Sequence, residues 1–229
     1  MIDADGRPLA LSWNYDRAEL IADAVVHAIG VVFALAGAAT ILILAIEWAD
    51  DAAELAAVAV YSAGILAVLC TSAAYNLWPV SRTKWMLRRF DHACIYVLIA
   101  GTYTPFLTQL KNGLAAAALF AGVWIVALAG AALKIVLPGR LDRLSIAVYV
   151  ILGLSGFLAY DVVAASLPPL TLWLILAGGA LYIAGVPFHL WHGLRFQNAV
   201  WHGFVLVATG VFYSAVLGGV VLGLSLIHI

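Results

Sequence analysis

Glu19, Asp23 and His27 recur four residues apart, so a helix would carry all three along one face. Ser72 and Asn76 repeat that interval, as do Asn198 and His202, while Asp91 and His92 stand side by side. Carboxylates and imidazoles are ligands for zinc, and either can serve as a general base beside a hydroxyl or a water. All of these residues lie within or at the edge of long apolar runs, where an ionisable group is expensive to keep. Taken singly, each reads as a satisfied packing contact. Taken together they read as a polar cup lined by Asp, His, Ser and Asn, suited to a metal or hydrolytic site, with a purely structural polar network as the plainer reading.

The elements that position them are membrane helices. Hydrophobic residues make up 66% of the 229 and charged residues 10%, against about 45–50% and 25% in soluble globular chains. With 11 basic and 12 acidic residues and no basic stretch, the chain has no charge pattern for a nucleic-acid partner. Cys70 and Cys94 lie in apolar runs without metal-ligand spacing, which excludes a disulfide scaffold or zinc finger. Seven apolar runs, near 22–47, 52–76, 90–109, 113–134, 143–163, 168–189 and 199–223, are each long enough to cross a bilayer. They are continuous and rich in Ala and Leu, as helices are, where barrel strands would alternate. The first is too late and too long for a cleaved signal peptide. The expected fold is all-α: one seven-transmembrane helix bundle over 1–223, without internal repeats. The breaks are expected at Trp78-Pro79, Lys111-Asn112-Gly113, Pro138-Gly139, Pro168-Pro169 and Val186-Pro187.

Lysines and arginines orient the bundle. Arg7 and Arg17 lie in the N-terminal tail; Arg82, Lys84, Arg88 and Arg89 in the second connection; Lys134, Arg140 and Arg143 around the fourth; and Arg195 in the sixth. Only Lys111 falls on the opposite side. This bias predicts a cytoplasmic N-terminus, a C-terminus outside, and residence in the plasma (inner) membrane among membrane lipids. The polar residues named above then share the cytoplasmic ends of spans one, two, three and seven. His189 and His192 fall at the headgroup level of that side, and the first connection, with Glu47, Asp50, Asp51 and Glu54, is acidic and external.

Other signals are weaker. Gly153-Leu-Ser155-Gly156 matches the GxSG of rhomboid-type proteases, but Ser155 lies about 12 Å deeper in its span than His202 does, at ~1.5 Å per residue, so helix packing explains the small residues better. No lysine follows Lys134, which removes a retinal Schiff base. Pro105 predicts a kink in span three, and Trp124 must face a neighbouring helix or lipid. Residues 224–229 read like the translation of a transposon-type sequencing adapter, so His228 is excluded from any site.

At Ser72-Ala-Ala-Tyr-Asn76, and at Arg88-Arg-Phe-Asp91-His through Gly101-Thr-Tyr-Thr-Pro105-Phe106, the sequence closely resembles the second and third helices of the hemolysin III family. Glu19 to Gly30 resembles that family's first helix and Gln197 to Val205 its seventh. The family is the bacterial branch of the progestin and adipoQ receptors, similar in turn to alkaline ceramidases. The resemblance implies seven helices with a cytoplasmic N-terminus, and a zinc ion near the cytoplasmic face held by three histidines. One of these lies four residues after the span-two serine, and two form an HxxxH pair opening span seven. It also associates the serine, here Ser72, and the span-three aspartate, here Asp91, with catalysis or with water at the zinc. At the three histidine positions this chain has Asn76, Asn198 and His202, and an amide oxygen is a poor zinc ligand beside imidazole.

Three readings of the cup follow. Metal binding is lost, and Asn76, Asn198, Ser72 and His202 form a hydrogen-bonded network. A different set, such as Asp23, His27, Asp91 and His202, holds zinc, manganese or iron. Or the asparagines act as weak ligands in the family geometry. The corresponding functions are a divergent hydrolase of lipid amides or esters, with Asp91 as base and Ser72 orienting or polarising, or a lipid-state sensor. The alternatives are the pore-forming cytolysin that the family name suggests and a catalytically silent receptor or scaffold.

Overall fold

The computed structural model describes residues 15–223 apart from 138 and 140. The expectations for Arg7, Pro138, Arg140, His228 and the stretch 224–229 lie outside the described residues. The order is α1 (Arg17–Trp48), α2 (Ala52–Leu77), α3 (Arg82–Thr108), α4 (Gly113–Val136), α5 (Asp142–Leu154), a 3₁₀ segment Ser155–Ala159, α6 (Tyr160–Ser166), α7 (Pro169–Leu190) and α8 (Gln197–Val216), closed by a π-helical turn Leu217–Val221. No strand occurs among the described residues.

Side-chain caps place the starts. Asp16 and Glu19 form a reciprocal capping box on α1, at 2.8 and 2.9 Å, satisfying backbone N–H groups that a helix start otherwise leaves open. Asp51 caps α2 at 2.8 Å, Ser81 caps α3 at 3.2 Å and Asn112 caps α4 at 3.1 Å. Pro169 opens α7 in the first turn, where its missing N–H costs nothing.

Among the described residues, six segments are long and apolar enough to cross a membrane: α1, α2, α4, the run Asp142–Ser166, α7 and Gln197–Val221. α3 has the length, 27 residues, but its first turns carry Arg82, Lys84, Arg88 and Arg89. That corrects the expected second connection: these four charges are helical, Ser81 caps the helix immediately before them, and the non-helical stretch is only 78–81. Pro187 also departs from expectation. It lies inside α7, which continues to Leu190; one lost N–H does not end a helix whose neighbouring turns remain paired.

Small residues let the helices approach. The buried stripe of α1 is Asp23, His27, Gly30, Ala34, Ala38, Ile41 and Ala45, one face at helical spacing, so the two ionisable groups head a row of small packing positions. A Cβ at Gly64 would lie 3.4 Å from the Leu98 backbone, and one at Gly101 3.4 Å from the Val60 carbonyl, which marks a close α2–α3 crossing. Tyr61, Ile65, Val58 and Ile41 fill the centre. Trp124 faces a neighbouring helix, donating from Nε1 to Thr104 Oγ1 at 3.2 Å.

The run Asp142–Ser166 is broken halfway. At Ser155 the backbone tightens to 3₁₀, and Tyr103 of α3 patches the break: its hydroxyl donates to the Gly153 carbonyl at 2.7 Å and accepts from the Gly156 N–H at 2.9 Å. Ser155 Oγ donates to the Leu152 carbonyl at 2.7 Å. The GxSG serine therefore belongs to a helix break and not to a nucleophilic site.

Packing tolerance differs sharply between two glycines of α4. A Cβ at Gly130 would strike the Tyr96 ring, whereas at Gly122 it would meet nothing within 4 Å. Gly130→Ala is expected to lower stability by about 1–3 kcal/mol through overpacking. Gly122→Ala should be neutral or stabilising by up to about 1 kcal/mol through helix propensity. Thermal unfolding of the two variants in one detergent measures the contrast.

Candidate metal centre

The start of α1 is fastened to the turn before α8. Glu19 Oε1 accepts from the Phe196 N–H at 3.0 Å while Oε2 accepts from the Asp16 N–H at 2.9 Å. Phe196 adopts a left-handed backbone, φ 61°, which costs a non-glycine residue about 1–3 kcal/mol and which the Glu19 contact holds. On the exposed side Arg195 pairs with Asp16 at 3.1 Å. The Glu19 backbone N–H, reinforced by Arg195, holds the Asp16 carboxyl below its ordinary range. The clasp is therefore complete above the usual carboxylate pKa and is lost as pH falls through the lowered one.

One turn beyond this clasp, Asp23 and His27 of α1 meet His202 of α8. Asp23 Oδ1 lies 2.7 Å from His202 Nδ1 and 3.6 Å from His27 Nε2. The two imidazole centroids are 4.4 Å apart. Asp23 and His27 are each 5% exposed. Single ligand atoms from the three residues all fall within 4.8 Å of one another. Ligands about 2.0–2.1 Å from a tetrahedral ion are themselves roughly 3.3 Å apart, and the observed separations bracket that value. His27 Nε2 is buried and makes no hydrogen bond, a costly condition that a cation between it and Asp23 would relieve. These three residues could hold a metal ion.

The other expected residues surround this group in order. Asn76 Nδ2 lies 3.5 Å from His202 Nε2 and donates to the Ser72 carbonyl at 2.9 Å and to Ser72 Oγ at 3.3 Å. One tautomer serves both contacts of His202: Nδ1–H donates to Asp23, and Nε2 accepts from the Asn76 amide. Asp91 is buried on α3, with the Ser72 hydroxyl and His202 among its polar neighbours. Asn198 stands at the rim, where it contacts Tyr15; with Glu19, Leu20, Asp23 and Phe196 these two line a crevice of about 10 Å³ beside Asp23, room for roughly one water. His92 Nε2 is 4.0 Å from Asp91, beyond hydrogen bonding. His189 packs on Trp201 with centroids 4.9 Å apart and His192 is exposed. Both lie outside the cluster, as do the free cysteines Cys70 and Cys94.

Two positioning groups were hidden in the sequence. Lys84, buried at 8% exposure, donates from Nζ to the carbonyls of Tyr75, Asn76 and Trp78 at 2.9, 2.9 and 3.0 Å. It thereby caps the C-terminus of α2, where a cation also favours the helix dipole, and holds Asn76 in place. Its signal was its position: a lysine three residues after the Ser81 cap, just beyond the helix end. Tyr15, which precedes α1, gave no signal of its kind.

Long apolar helices enclosing a buried carboxylate–histidine cluster define an integral membrane protein. A profile described as haemolysin-III related matches residues 19–213, and the chain belongs to that family. It is 34% identical over 199 residues to the Hemolysin-3 homolog of Bacillus subtilis (strain 168), covering 87% of this chain and 93% of that protein. To the Hemolysin-3 of Bacillus cereus it is 33% identical, with 87% and 90% covered. To the human Monocyte to macrophage differentiation factor it is 28% identical, with 86% and 83% covered. It is a multi-pass plasma-membrane protein.

Asp23 accepts from His202 and lies 3.6 Å from His27 Nε2. Asp23→Ala should lower stability by about 1–3 kcal/mol by leaving the half-buried His202 Nδ1–H without its acceptor and the buried His27 without its neighbouring carboxylate. Asn198→Ala, at the rim, should cost clearly less. Thermal unfolding of both variants against the parent, with chelator present throughout, checks the order.

Proposed function

We propose that the chain is a metal-dependent hydrolase of lipid amides or esters, with its centre on Asp23, His27 and His202 and its seven helices oriented with the N-terminus in the cytoplasm. α3 is counted as a span in this reading, because it has the length and packs from the Lys84–Asn76 contact at one end to the Gly101–Val60 contact further along. The basic residues at the cluster end support the orientation. The observation that carries the hydrolase reading is the convergence of three metal-competent side chains on one point, with His27 Nε2 buried and unpartnered.

A mixed carboxylate–histidine set suits zinc and also manganese or iron. A bound ion supplies Lewis acidity and lowers the pKa of water. The remaining chemistry belongs to the chain. Asp91, buried beside Ser72 and His202, accepts the proton of the attacking water at its carboxylate. Ser72 orients that water or polarises the lipid carbonyl through Oγ. With a metal on His202 Nδ1 the proton would sit on Nε2, and Asn76, its amide turned so that Oδ1 accepts that proton, would fix the ring as an outer-shell partner. In this reading two asparagines at family histidine positions do not signify loss of the centre; the ligands have moved to α1.

Metal analysis of the purified chain tests this reading. About one divalent ion per chain is expected, lost in His27→Ala and in His202→Ala. Asp91→Ala should retain the ion yet release fatty acid from short-chain ceramide or ester substrates at least about 100-fold more slowly, the usual weight of a general base. A metal-free parent that unfolds normally would leave a silent scaffold. Leakage of liposomes without hydrolysed lipid would favour the cytolytic activity in the names of the Bacillus relatives.

A further inference from the structure

Toward α4 and α5, charge is buried again. Arg88 Nη2 and Lys134 Nζ each donate to one oxygen of Asp142, at 2.7 and 2.6 Å, and the two cationic side chains are 8% and 4% exposed. Arg89 reaches the Ile135 carbonyl at 3.4 Å, a weak bond, and its Nε is buried without a hydrogen-bond partner. Arg143 is exposed in the first turn of α5. The carboxylates facing this group are Asp142 and, from the direction of the metal centre, Asp91. Among the described residues, four cations therefore stand against two carboxylates.

Beside this group α3, α4 and α5 part to leave a groove of about 260 Å³. Tyr96 and Gly130 line it together, and the absence of a side chain at Gly130 makes room for the Tyr96 ring. Its walls are apolar, with Val126, Leu133 and Leu144 among them, and Lys134 and Ser145 stand at the charged end. It opens outward, since Leu133 and Leu144 are 51% and 55% exposed. An apolar, outward-opening groove with Lys134 in its wall, Arg89 reaching the nearby Ile135 carbonyl and Arg143 in the first turn of α5 has the chemistry of a phospholipid seat.

We propose that this groove binds one anionic phospholipid of the phosphatidylglycerol type, its acyl chain lying between α4 and α5 and its phosphate held at Arg89, Lys134 and Arg143. The apolar walls take a chain without selecting among lipids. The surplus cations make the choice, because a zwitterionic headgroup brings its own positive charge to a place that already has too much. Arg89 Nε, buried and unpartnered, is the donor that a phosphate oxygen would satisfy.

Native mass spectrometry of the full chain released from vesicles of equal phosphatidylcholine and phosphatidylglycerol tests the proposal. One phosphatidylglycerol per chain is expected to stay bound in preference to phosphatidylcholine. Arg89→Gln should reduce that preference about fivefold, the weight of one basic residue at an anionic surface. Ala129→Phe fills the groove from an exposed position without touching a charge, and should abolish retention while metal content and unfolding midpoint stay at parental values. Ala129→Phe also decides the matter should Arg89→Gln fail to fold. Equal retention of both lipids, undiminished retention in Ala129→Phe, or a lipid-free dimer seated on this face would each overturn it.

Discussion

The structure is organised by the cost of burying the carboxylate of Asp23. An ionised group in a low-dielectric interior needs a partner whose attraction offsets its lost hydration. The partners within reach are His27, one turn along the same helix, and His202, from the last helix. Satisfying Asp23 therefore ties the first membrane helix to the last. The Glu19 contact to Phe196 and the stripe of alanines below Asp23 serve the same closure. What closes the bundle also assembles the candidate centre, so a single requirement gives both the contact and the chemistry.

Around that closure, polar groups are graded by distance from Asp23. His27 and His202 touch it or nearly so, Asn76 and Ser72 follow through His202, and Asp91 closes the ring from α3. Lys84 supports the ring from below by gathering the last carbonyls of α2. A second buried ionic group, Arg88, Lys134 and Asp142, does for α3, α4 and α5 what Asp23 does for α1 and α8. Both groups draw on α3, through Asp91 and through Arg88, and this explains why that helix is the least apolar of the long ones. It is surrounded by protein on both sides and carries charge where its neighbours can answer it.

Much of this was legible in the sequence. Apolar runs separated by turn residues led directly to the helices, and the four-residue spacing of Asp23 and His27 marked the face that is buried. Period alone could not reveal which helix would answer that face, because His202 lies 179 positions from Asp23. The departure at Asn76 and Asn198 was visible as well, but their different fates were not: one amide packs against His202, the other turns to Tyr15 at the rim. The start of α3 was misplaced because four basic residues resemble a solvated loop, whereas Ser81 and the carbonyls of α2 make them helical. Pro187 was misread for the opposite reason, a strong local breaker that the surrounding turns of α7 override.

The patch that Tyr103 places over the Ser155 break has a mechanical consequence. In hydrocarbon no water is available to bond loose backbone groups, so a helix interrupted halfway must borrow donors and acceptors from elsewhere. The run Asp142–Ser166 borrows them from one phenol on α3, which ties the two helices together at the break. Tyr103 is thus a substitute for the missing turn of another helix: without its hydroxyl, the Gly153 carbonyl and the Gly156 N–H would both lose the partner they have in place of a regular helical bond.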